Sequence, residues 1–315
     1  MKKLLFIPLL FGLSFCTQKA KETIGSTANT EAENQHSEST SDSLVVKANN
    51  QYMEIAPAIG GRIVSLKMDG QNFLTGKAIN ADNWGSTFWT SPQQAWGWPP
   101  SEEIDKKPYK VTFNGDTPVL TSEKDSKLGF VIKKEISGNA EDTSFTITYS
   151  ITNESDSAQK VAPWEISRVH PGGLTFYPSG AGAKKGDLAS LTQDVNGITW
   201  FNYESEKIPG GVPKLLADGA EGWLAQVNDG RILIKKFPNV AQEKIAPGEG
   251  EIEMYTNPDK SYVEIEQQGA YETLNPGATV TWEVHWFLRT LPKSVKVEVG
   301  SKSLLSYARS VVEGK

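Results

Sequence analysis

The sequence predicts an all-β fold, a large antiparallel sandwich of two sheets followed by a short C-terminal helix. Three observations support this: short runs alternate apolar and polar residues with a period of two, turn residues separate the runs, and one segment alone has convincing helical spacing. The clearest alternating runs are Gln51–Ile55, Arg62–Leu66, Lys110–Phe113, Phe130–Ile136, Ser144–Ile151, Ile232–Phe237, Tyr262–Glu266 and Thr279–Leu288.

Turns between these strands are marked by Gly, Asn, Asp and Pro, as in Asp69-Gly70, Asp229-Gly230 and Asn275-Pro276-Gly277. No self-repeat is evident along this pattern, so we expect one sandwich domain over residues 44–315 rather than a propeller. Its last element is predicted to be a helix over residues 301–313, where five apolar residues recur at helical spacing. These are Leu304, Leu305, Ala308, Val311 and Val312.

Charge and cysteine content argue against several classes of protein. The 315 residues include 32 Lys+Arg and 38 Asp+Glu, for a net charge of −6. We expect no nucleic-acid partner, because phosphate neutralisation needs a basic face and no Lys/Arg cluster stands out. One cysteine cannot form an internal disulfide, and with only three histidines it cannot build a Cys/His zinc cluster. The sequence therefore indicates neither a metal site nor a cofactor.

The N-terminus has the layout of a bacterial lipoprotein signal. A basic start, Met1–Lys3, precedes the apolar run Leu4–Phe15, which is shorter than the ~20 residues that span a bilayer. Cys16 follows at once, in a Leu-Ser-Phe-Cys sequence that resembles a lipobox. We predict a signal peptide over residues 1–15 and a lipid on Cys16 that holds the chain to a membrane of the cell envelope, on its periplasmic or surface side. The alternative is an ordinary cysteine in a signal core.

Residues 16–43 are predicted to form a disordered tether. After Cys16 the stretch is rich in Ser, Thr, Glu, Asn and Gln, and its apolar residues are few. Such a composition cannot bury enough surface to offset the entropy that ordering would cost.

The segment Asn83–Pro100 holds four tryptophans, and its Gly and Pro residues predict a long loop. A loop this aromatic either plugs into the sandwich core or forms a stacking platform, and the sequence leaves both open. Pyranose rings lay their C–H faces on indole, and an indole N–H can reach a hydroxyl. Trp89, Gln93, Trp96 and Trp98 are the candidate sugar-binding residues here.

A second candidate segment runs from Ala162 to Gly173. Strand alternation places Trp164 and Arg168 on one face, and the strand ends at His170 before a Pro-Gly-Gly turn. His170 could act as an acid or base near neutral pH, or it could be a hydrogen-bonded turn residue. Arg168 could hold a substrate anion or pair with a local carboxylate.

The third segment is Tyr262–Tyr271, where Glu264, Glu266 and Gln268 share one strand face. Two like charges on one partly buried face raise the pKa of one carboxyl, which makes it a usable base. The alternative is a solvated sheet face. His285, in the next alternating run, could point at the same face.

Two motifs resemble those of galactose mutarotase-like (aldose 1-epimerase-like) proteins. Residues 60–66, Gly-Gly-Arg-Ile-Val-Ser-Leu, resemble an early strand of that family. The second motif is Glu266-Gln267-Gln268 followed by residues 274–277, Leu-Asn-Pro-Gly, and it resembles the C-terminal motif of the family. The resemblance covers nearly the whole body. It implies a two-sheet supersandwich with a sugar site on one face.

In that family a glutamate takes the proton of the anomeric hydroxyl and a histidine protonates the ring oxygen, so the ring opens and recloses as the other anomer. The resemblance assigns the base to Glu266 and, by local similarity, the acid to His170. The Trp-rich segment lacks the histidine that the family carries there. The phosphate-binding arginines of hexose-6-phosphate relatives are not recognisable, so we do not expect a sugar phosphate.

Two main hypotheses follow, both with a carbohydrate partner. The first is an epimerase-like enzyme, with Glu266 and His170 as its catalytic pair. The second is a non-catalytic carbohydrate-binding module that uses the same face. A structural partner protein would fit only if the tryptophans were all buried and the glutamate face covered. The predicted substrate-binding residues are Trp89, Gln93, Trp98, Trp164, Arg168, Glu264 and Gln268.

Overall fold

The computed structural model describes residues 43–314. The predicted signal peptide, the lipidation site Cys16 and almost all of the tether lie outside the described residues. The strands are β1 Leu44–Ala48, β2 Gln51–Ala56, β3 Arg62–Met68, β4 Gln71–Asn72, β5 Ser86–Ser91, β6 Lys110–Asn114, β7 Thr117–Thr121, β8 Phe130–Asn139, β9 Ser144–Asn153, β10 Gln159–Val169, β11 Leu174–Pro178, β12 Thr192–Val195, β13 Ile198–Asn202, β14 Lys214–Ala217, β15 Trp223–Asn228, β16 Arg231–Lys236, β17 Ile252–Thr256, β18 Val263–Gln268, β19 Glu272–Leu274 and β20 Thr279–Thr290. The α-helices are α1 Glu102–Asp105 and α2 Lys302–Val312.

Ten of these strands form the first sheet. Eight lie in the order β1-β2-β3-β5-β10-β18-β17-β14, while β4 pairs with β3 and β19 pairs with β10. Strand β10 is central, with β5 antiparallel on one side and β18 antiparallel on the other. The three segments that the sequence marks as candidates for chemistry are therefore direct neighbours.

The other ten strands form the second sheet, in the order β12-β13-β11-β15-β16-β20-β9-β8-β7-β6. Its strands are also antiparallel, and β8 shows why the sequence folds this way: its residues alternate between buried and partly exposed along most of its length. Period-two burial is the signature of a strand with one face on a core. The all-β prediction of two antiparallel sheets with a short C-terminal helix is confirmed.

The main core lies between the sheets. Phe88 of β5 stacks on Tyr149 of β9 with ring centroids 4.1 Å apart, which joins the first sheet to the second. A second apolar cluster covers the outer face of the second sheet, where Leu304 and Ala308 of α2 pack on residues such as Trp223. The Ser301 hydroxyl caps α2 by accepting from the Leu304 N–H at 3.2 Å. Within residues 43–314, no helix is long and apolar enough to cross a membrane.

The prediction of a loop throughout residues 83–100 is wrong in part. Residues 86–91 form β5, every residue of which is buried in the first sheet. Gly85 and Pro92 lie at the two ends of this strand instead of interrupting it, and the residues between them favour strands. Gly85 has a φ of +63° and approaches the Ile63 carbonyl so closely that a Cβ would clash, so only glycine fits where the chain enters β5.

Candidate functional site

The first sheet carries two different rows of side chains on the two faces of β10. Glu165 points inward, because its Oε1 accepts from Lys235 Nζ of the second sheet at 2.7 Å. Alternation therefore points Trp164 and Arg168 outward, away from the second sheet. The register pairs Arg168 with Glu264 and Trp164 with Gln268, so the predicted glutamate row shares that outer face. The same register puts Trp89 beside Trp164.

A cavity of about 330 Å³ opens on this outer face. Its volume lies at the lower end of the range for small-molecule sites. Its lining combines aromatic rings with amide and charged groups: Asn83, Trp89, Gln93, Trp98, Trp164, Val212, Lys214, Tyr255 and Glu264. Five of the residues predicted to bind substrate, namely Trp89, Gln93, Trp98, Trp164 and Glu264, are among them.

Trp89 is the centre of the aromatic lining. Its ring contacts Trp164 edge to face with centroids 5.6 Å apart and Trp98 with centroids 5.9 Å apart. The Trp89 indole N–H donates to Asp105 Oδ1 at 2.9 Å, and Asp105 also pairs with the buried Arg62. These contacts fix the orientation of the ring that forms the cavity floor.

Arg168 lies directly behind the lining and orders Glu264. Its Nε donates to Glu264 Oε1 at 2.7 Å, its Nη1 donates to Thr87, and its guanidinium lies 5.2 Å from the Trp89 ring centroid. The Arg168 side chain is fully buried. Of the two roles that the sequence left open for Arg168, the contacts match pairing with a local carboxylate.

Glu266 is buried beside Trp164. The Trp164 indole N–H donates to Glu266 Oε2 at 2.8 Å, while Oε1 has no hydrogen-bond partner in the described part of the chain. Burial raises the pKa of Glu266 to about 7, with a further contribution from the charge of Glu264. Lys214, Arg168 and the Trp164 hydrogen bond oppose this shift without cancelling it. The carboxyl can therefore gain or lose a proton near neutral pH.

Glu253 on β17 is the cross-strand neighbour of Glu266. Its Oε1 accepts from Gln268 Nε2 at 2.7 Å and from the Gly250 N–H at 2.9 Å. Gln268, predicted to bind substrate, is buried and is not among the lining residues. Burial raises the pKa of Glu253 well above its ordinary value, and the adjacent Glu266 raises it further. Two buried carboxyls on neighbouring strands thus lie directly behind the cavity.

Lys214 brings a cation into the lining. Its Nζ lies 3.7 Å from Glu253 Oε2 and 5.7 Å from the Trp164 ring centroid. Burial alone would lower the pKa of Lys214, but the surrounding carboxylates, led by Glu266 and Glu253, outweigh burial and raise it. Lys214 therefore stays charged over the physiological pH range.

Both body histidines lie away from this cavity. His170 is exposed in the turn after β10 and is not among the lining residues; its carbonyl oxygen accepts from Asn228 Nδ2. His285 belongs to β20 of the second sheet, where its ring contacts Thr146 and Glu283, so the expectation that it shares the glutamate face is wrong. The run containing His285 follows the glutamates in sequence but pairs with β9 and β16 in the other sheet.

Trp96 also lies outside the main cavity. Its indole N–H donates to the Thr90 carbonyl at 2.7 Å, and its ring lines a separate cavity of about 10 Å³ that has room for about one water. Of the four tryptophans in the segment, Trp89 and Trp98 line the main cavity.

Sequence reasoning missed Lys214, Tyr255, Asn83 and Val212 in the lining, and Glu253 behind it. For two of them a signal existed: β17 reads Ile-Glu-Met-Tyr-Thr, and its alternation puts Glu253 and Tyr255 on one face. Nothing in the sequence identifies β17 as the neighbour of β18 on that face. Among residues 43–314, no group of His, Cys, Asp and Glu is arranged to hold a metal ion.

Solved structures with this fold define its class. A galactose mutarotase-like protein from Lactobacillus casei has a TM-score of 0.53 at 11% identity and covers 78% of this chain and 100% of its own. A galactose mutarotase related enzyme from Lactobacillus acidophilus gives a TM-score of 0.54 at 10% identity, with coverage of 81% and 99%. A Klebsiella pneumoniae protein that carries the provisional name aldose 1-epimerase gives 0.56 at 11%, with coverage of 84% and 80%. The protein therefore has the fold of the galactose mutarotase-like superfamily, as the motifs predicted.

A match of the amino-acid sequence to a family model identifies the family within this class. Residues 89–289 match the family model described as a domain of unknown function, DUF4380, and the chain belongs to that family. A search of curated proteins found no match. The matched range begins at Trp89 on the cavity floor and contains Trp164, Lys214 and Glu264 of its lining.

Proposed function

We propose that this protein binds a carbohydrate in the cavity on the outer face of the first sheet. One observation carries the proposal: three tryptophans and a tyrosine line the same cavity as two amides, a lysine and a glutamate. Aromatic faces bind the C–H faces of sugar rings, while amide and charged groups bind their hydroxyls. The superfamily fold is compatible with such a ligand.

The lining also disfavours an anionic sugar. Lys214 is surrounded by Glu266, Glu253, Glu264 and Glu249, whose charges raise the pKa of its ammonium. A ligand carboxylate or phosphate near Lys214 would be repelled by these acidic groups whenever they are ionised. We therefore propose a neutral sugar.

A binding screen tests the proposal. The purified protein is titrated calorimetrically with neutral hexoses and pentoses, beside variants Lys214→Met and Tyr255→Leu. We expect both variants to lose most of the affinity, because each removes a lining side chain. Tyr52→Leu is the control, since Tyr52 lies near the edge of the sheet on β2. Equal affinity in all four proteins would show that the ligand binds elsewhere.

A second candidate function is aldose 1-epimerase-like proton transfer, which the state of Glu266 favours. A base with a pKa near the working pH is well suited to proton transfer, and Glu266 Oε1 is unpaired within residues 43–314. Glu266 would take the proton of the anomeric hydroxyl as the C1–O5 bond breaks. The Lys214 ammonium would stabilise the negative charge that develops on the ring oxygen. The open chain then rotates about C1–C2 and recloses.

The proton donor to the ring oxygen stays a prediction. His170, assigned by the resemblance, is exposed and lies outside the lining. Glu266 is buried behind the lining and is not part of it, so the geometry favours binding over catalysis. Polarimetry of freshly dissolved aldoses separates the two functions. A catalyst would speed mutarotation, Glu266→Gln would abolish the acceleration and leave sugar affinity nearly unchanged, and His170→Ala would slow it. Binding with no acceleration by the unaltered protein would rule out the enzyme.

We further propose that the sandwich is held at a membrane of the cell envelope by a lipid on Cys16. The support is the apolar run Leu4–Phe15 and the Leu-Ser-Phe-Cys sequence that ends in Cys16. Labelling with palmitate in bacteria, followed by fractionation, tests it. We expect label and membrane association in the natural chain and neither in Cys16→Ala. Equal membrane association of the two would contradict a lipid anchor.

A further inference from the structure

We infer that the cavity is one end of a longer binding site and that its ligand is a glycan of at least two linked sugar units, with the second unit stacked on Trp98. This inference rests on the proposed sugar binding and names the class of sugar. It is carried by the exposure of Trp98, by the way its loop is anchored, and by the size of the cavity.

The aromatic lining runs from the floor of the cavity to solvent. Trp164 is 1% exposed and Trp89 is 5% exposed, whereas Trp98 is 60% exposed. Trp89 contacts both of the others edge to face, so the three rings are continuous. Val212, which is 64% exposed, lines the same cavity. Two apolar side chains at the surface therefore flank the opening of a polar and aromatic site.

The loop that carries Trp98 is anchored without help from the Trp98 ring. Lys127 Nζ donates to the Pro99 carbonyl at 2.6 Å and to the Trp96 carbonyl at 3.0 Å. At the start of the loop, the Gln93 N–H donates to Glu249 Oε1 at 2.8 Å. The exposed indole is thus held in one place by contacts on both sides of it, and a preorganised ring loses little entropy when a ligand stacks on it.

Cavity size determines which part of the ligand reaches Trp98. At about 330 Å³ the cavity is among the smaller ligand sites, and one sugar ring over Trp89 and Trp164 would occupy most of it. A second linked ring would leave through the opening, between Trp98 and Val212. Asn83 and Gln93 line the cavity with amides that can bind ring hydroxyls along this path.

Calorimetry with length series of one sugar tests the inference. The probes are glucose with cellotetraose and maltotetraose, xylose with xylotetraose, and mannose with mannotetraose, titrated into the full protein. We expect at least one tetramer to bind on the order of tenfold more tightly than its monomer, from stacking on Trp98. In Trp98→Ala we expect the advantage of that tetramer over its monomer to disappear. The monomer also weakens, because Trp98 lines the cavity, but by a smaller factor than the tetramer.

Phe113→Ala is the matched control, since Phe113 is 61% exposed but lies on β6 at the edge of the second sheet. It should leave both affinities unchanged. Monomers that bind no more weakly than tetramers, or a Trp98→Ala variant that weakens both equally, would overturn the inference and leave the proposed sugar binding standing. Failure of every probe, monomers and tetramers alike, would overturn the inference and the proposed function together.

Discussion

Two buried carboxyl groups lie on opposite faces of the neighbouring strands β10 and β18 and differ in how fully they are hydrogen-bonded. On the inner face, Glu165 accepts from Lys235, Gln267 and Trp286 through Oε1 and from Tyr149 through Oε2. On the outer face, Glu266 has one oxygen bonded to Trp164 and the other without a partner among residues 43–314. A closed network fixes a core, whereas an open one retains capacity for a ligand or a proton. The two carboxyls lie on neighbouring strands of one sheet, yet within residues 43–314 only Glu165 has both oxygens hydrogen-bonded.

The largest expected effect comes from opening the closed network. Glu165→Leu leaves the Lys235 ammonium buried between the sheets without its carboxylate, although both side chains are fully buried in the native protein. We expect unfolding in urea to become easier by about 3–5 kcal/mol, the typical cost of breaking a buried pair. The double variant Glu165→Leu/Lys235→Met should recover much of this, because no charge is then stranded. Single-variant losses near zero would show that the inner pair is not structural.

The next effect tests the open face through its pH dependence. Folded Glu266 keeps its proton up to a pKa of about 7, while its ordinary value is 4.5, so the folded state binds more protons between these values. Stability contributed by the protonated form is therefore present below pH 4.5 and decreases as the pH rises to about 7, by on the order of 3 kcal/mol. In Glu266→Gln this decrease should disappear.

Urea unfolding of Glu266→Gln and the unaltered protein at pH 5 and pH 8 measures that difference. Subtracting the two removes the contribution of Glu251, whose pKa is also raised to about 7 by burial, and leaves that of Glu266 together with its effect on the pKa of Glu253. An identical pH dependence in the two proteins would contradict a buried, proton-holding Glu266.

A third variant tests the outer face through its affinity for sugar. Glu264→Gln removes the carboxylate that Arg168 Nε binds at 2.7 Å, in the cavity lining. We expect sugar affinity to fall by about 1.5–3 kcal/mol, the usual value of a hydrogen bond to a charged group. Glu54→Gln, which alters a partly exposed pair with Lys67 on the same sheet, should leave affinity unchanged. Calorimetric titration of both variants would settle whether the outer carboxylate serves binding.

The smallest expected effect lies away from both faces of β10. Ser301→Ala removes the cap that accepts from the Leu304 N–H at the start of α2. It should cost about 1 kcal/mol of stability and leave sugar affinity untouched, because α2 covers the outer face of the second sheet. Any change in affinity would indicate that the second sheet contributes to the site.

Sequence patterns predicted what depends on periodicity. The fold class, helix α2 and the shared face of Glu264, Glu266 and Gln268 all follow from alternation along a single segment. Patterns could not supply the pairing of distant strands. Lys214 meets Glu253 because β14 and β17 pair, and Glu165 meets Lys235 because two sheets stack. Such contacts depend on which strands pair and which sheets stack, and the pattern of a single sequence does not predict either.

The site also shows where local rules mislead. The Gly and Pro residues around Trp89 predicted a loop. Gly85 and Pro92 instead lie at the two ends of a buried strand, β5, which pairs with β10. Trp89 is predicted on a loop and lies instead on strand β5 at the floor of the cavity, whereas Trp98 is on a loop as predicted. The Trp-rich segment thus holds a buried tryptophan, Trp89, and an exposed one, Trp98, and a stacking role for Trp98 stays a prediction.

The alternation along β10 has a consequence for its length. Inserting or deleting one residue between Pro163 and Arg168 would turn the rest of the strand over. Glu165 or its successor would then point away from the second sheet, and an arginine would enter the space between the sheets. A substitution changes one side chain on one face, but a shift of a single position would disable the core and the cavity at once. Chains of this architecture should therefore vary in length at their turns and keep a fixed count of residues in this central strand.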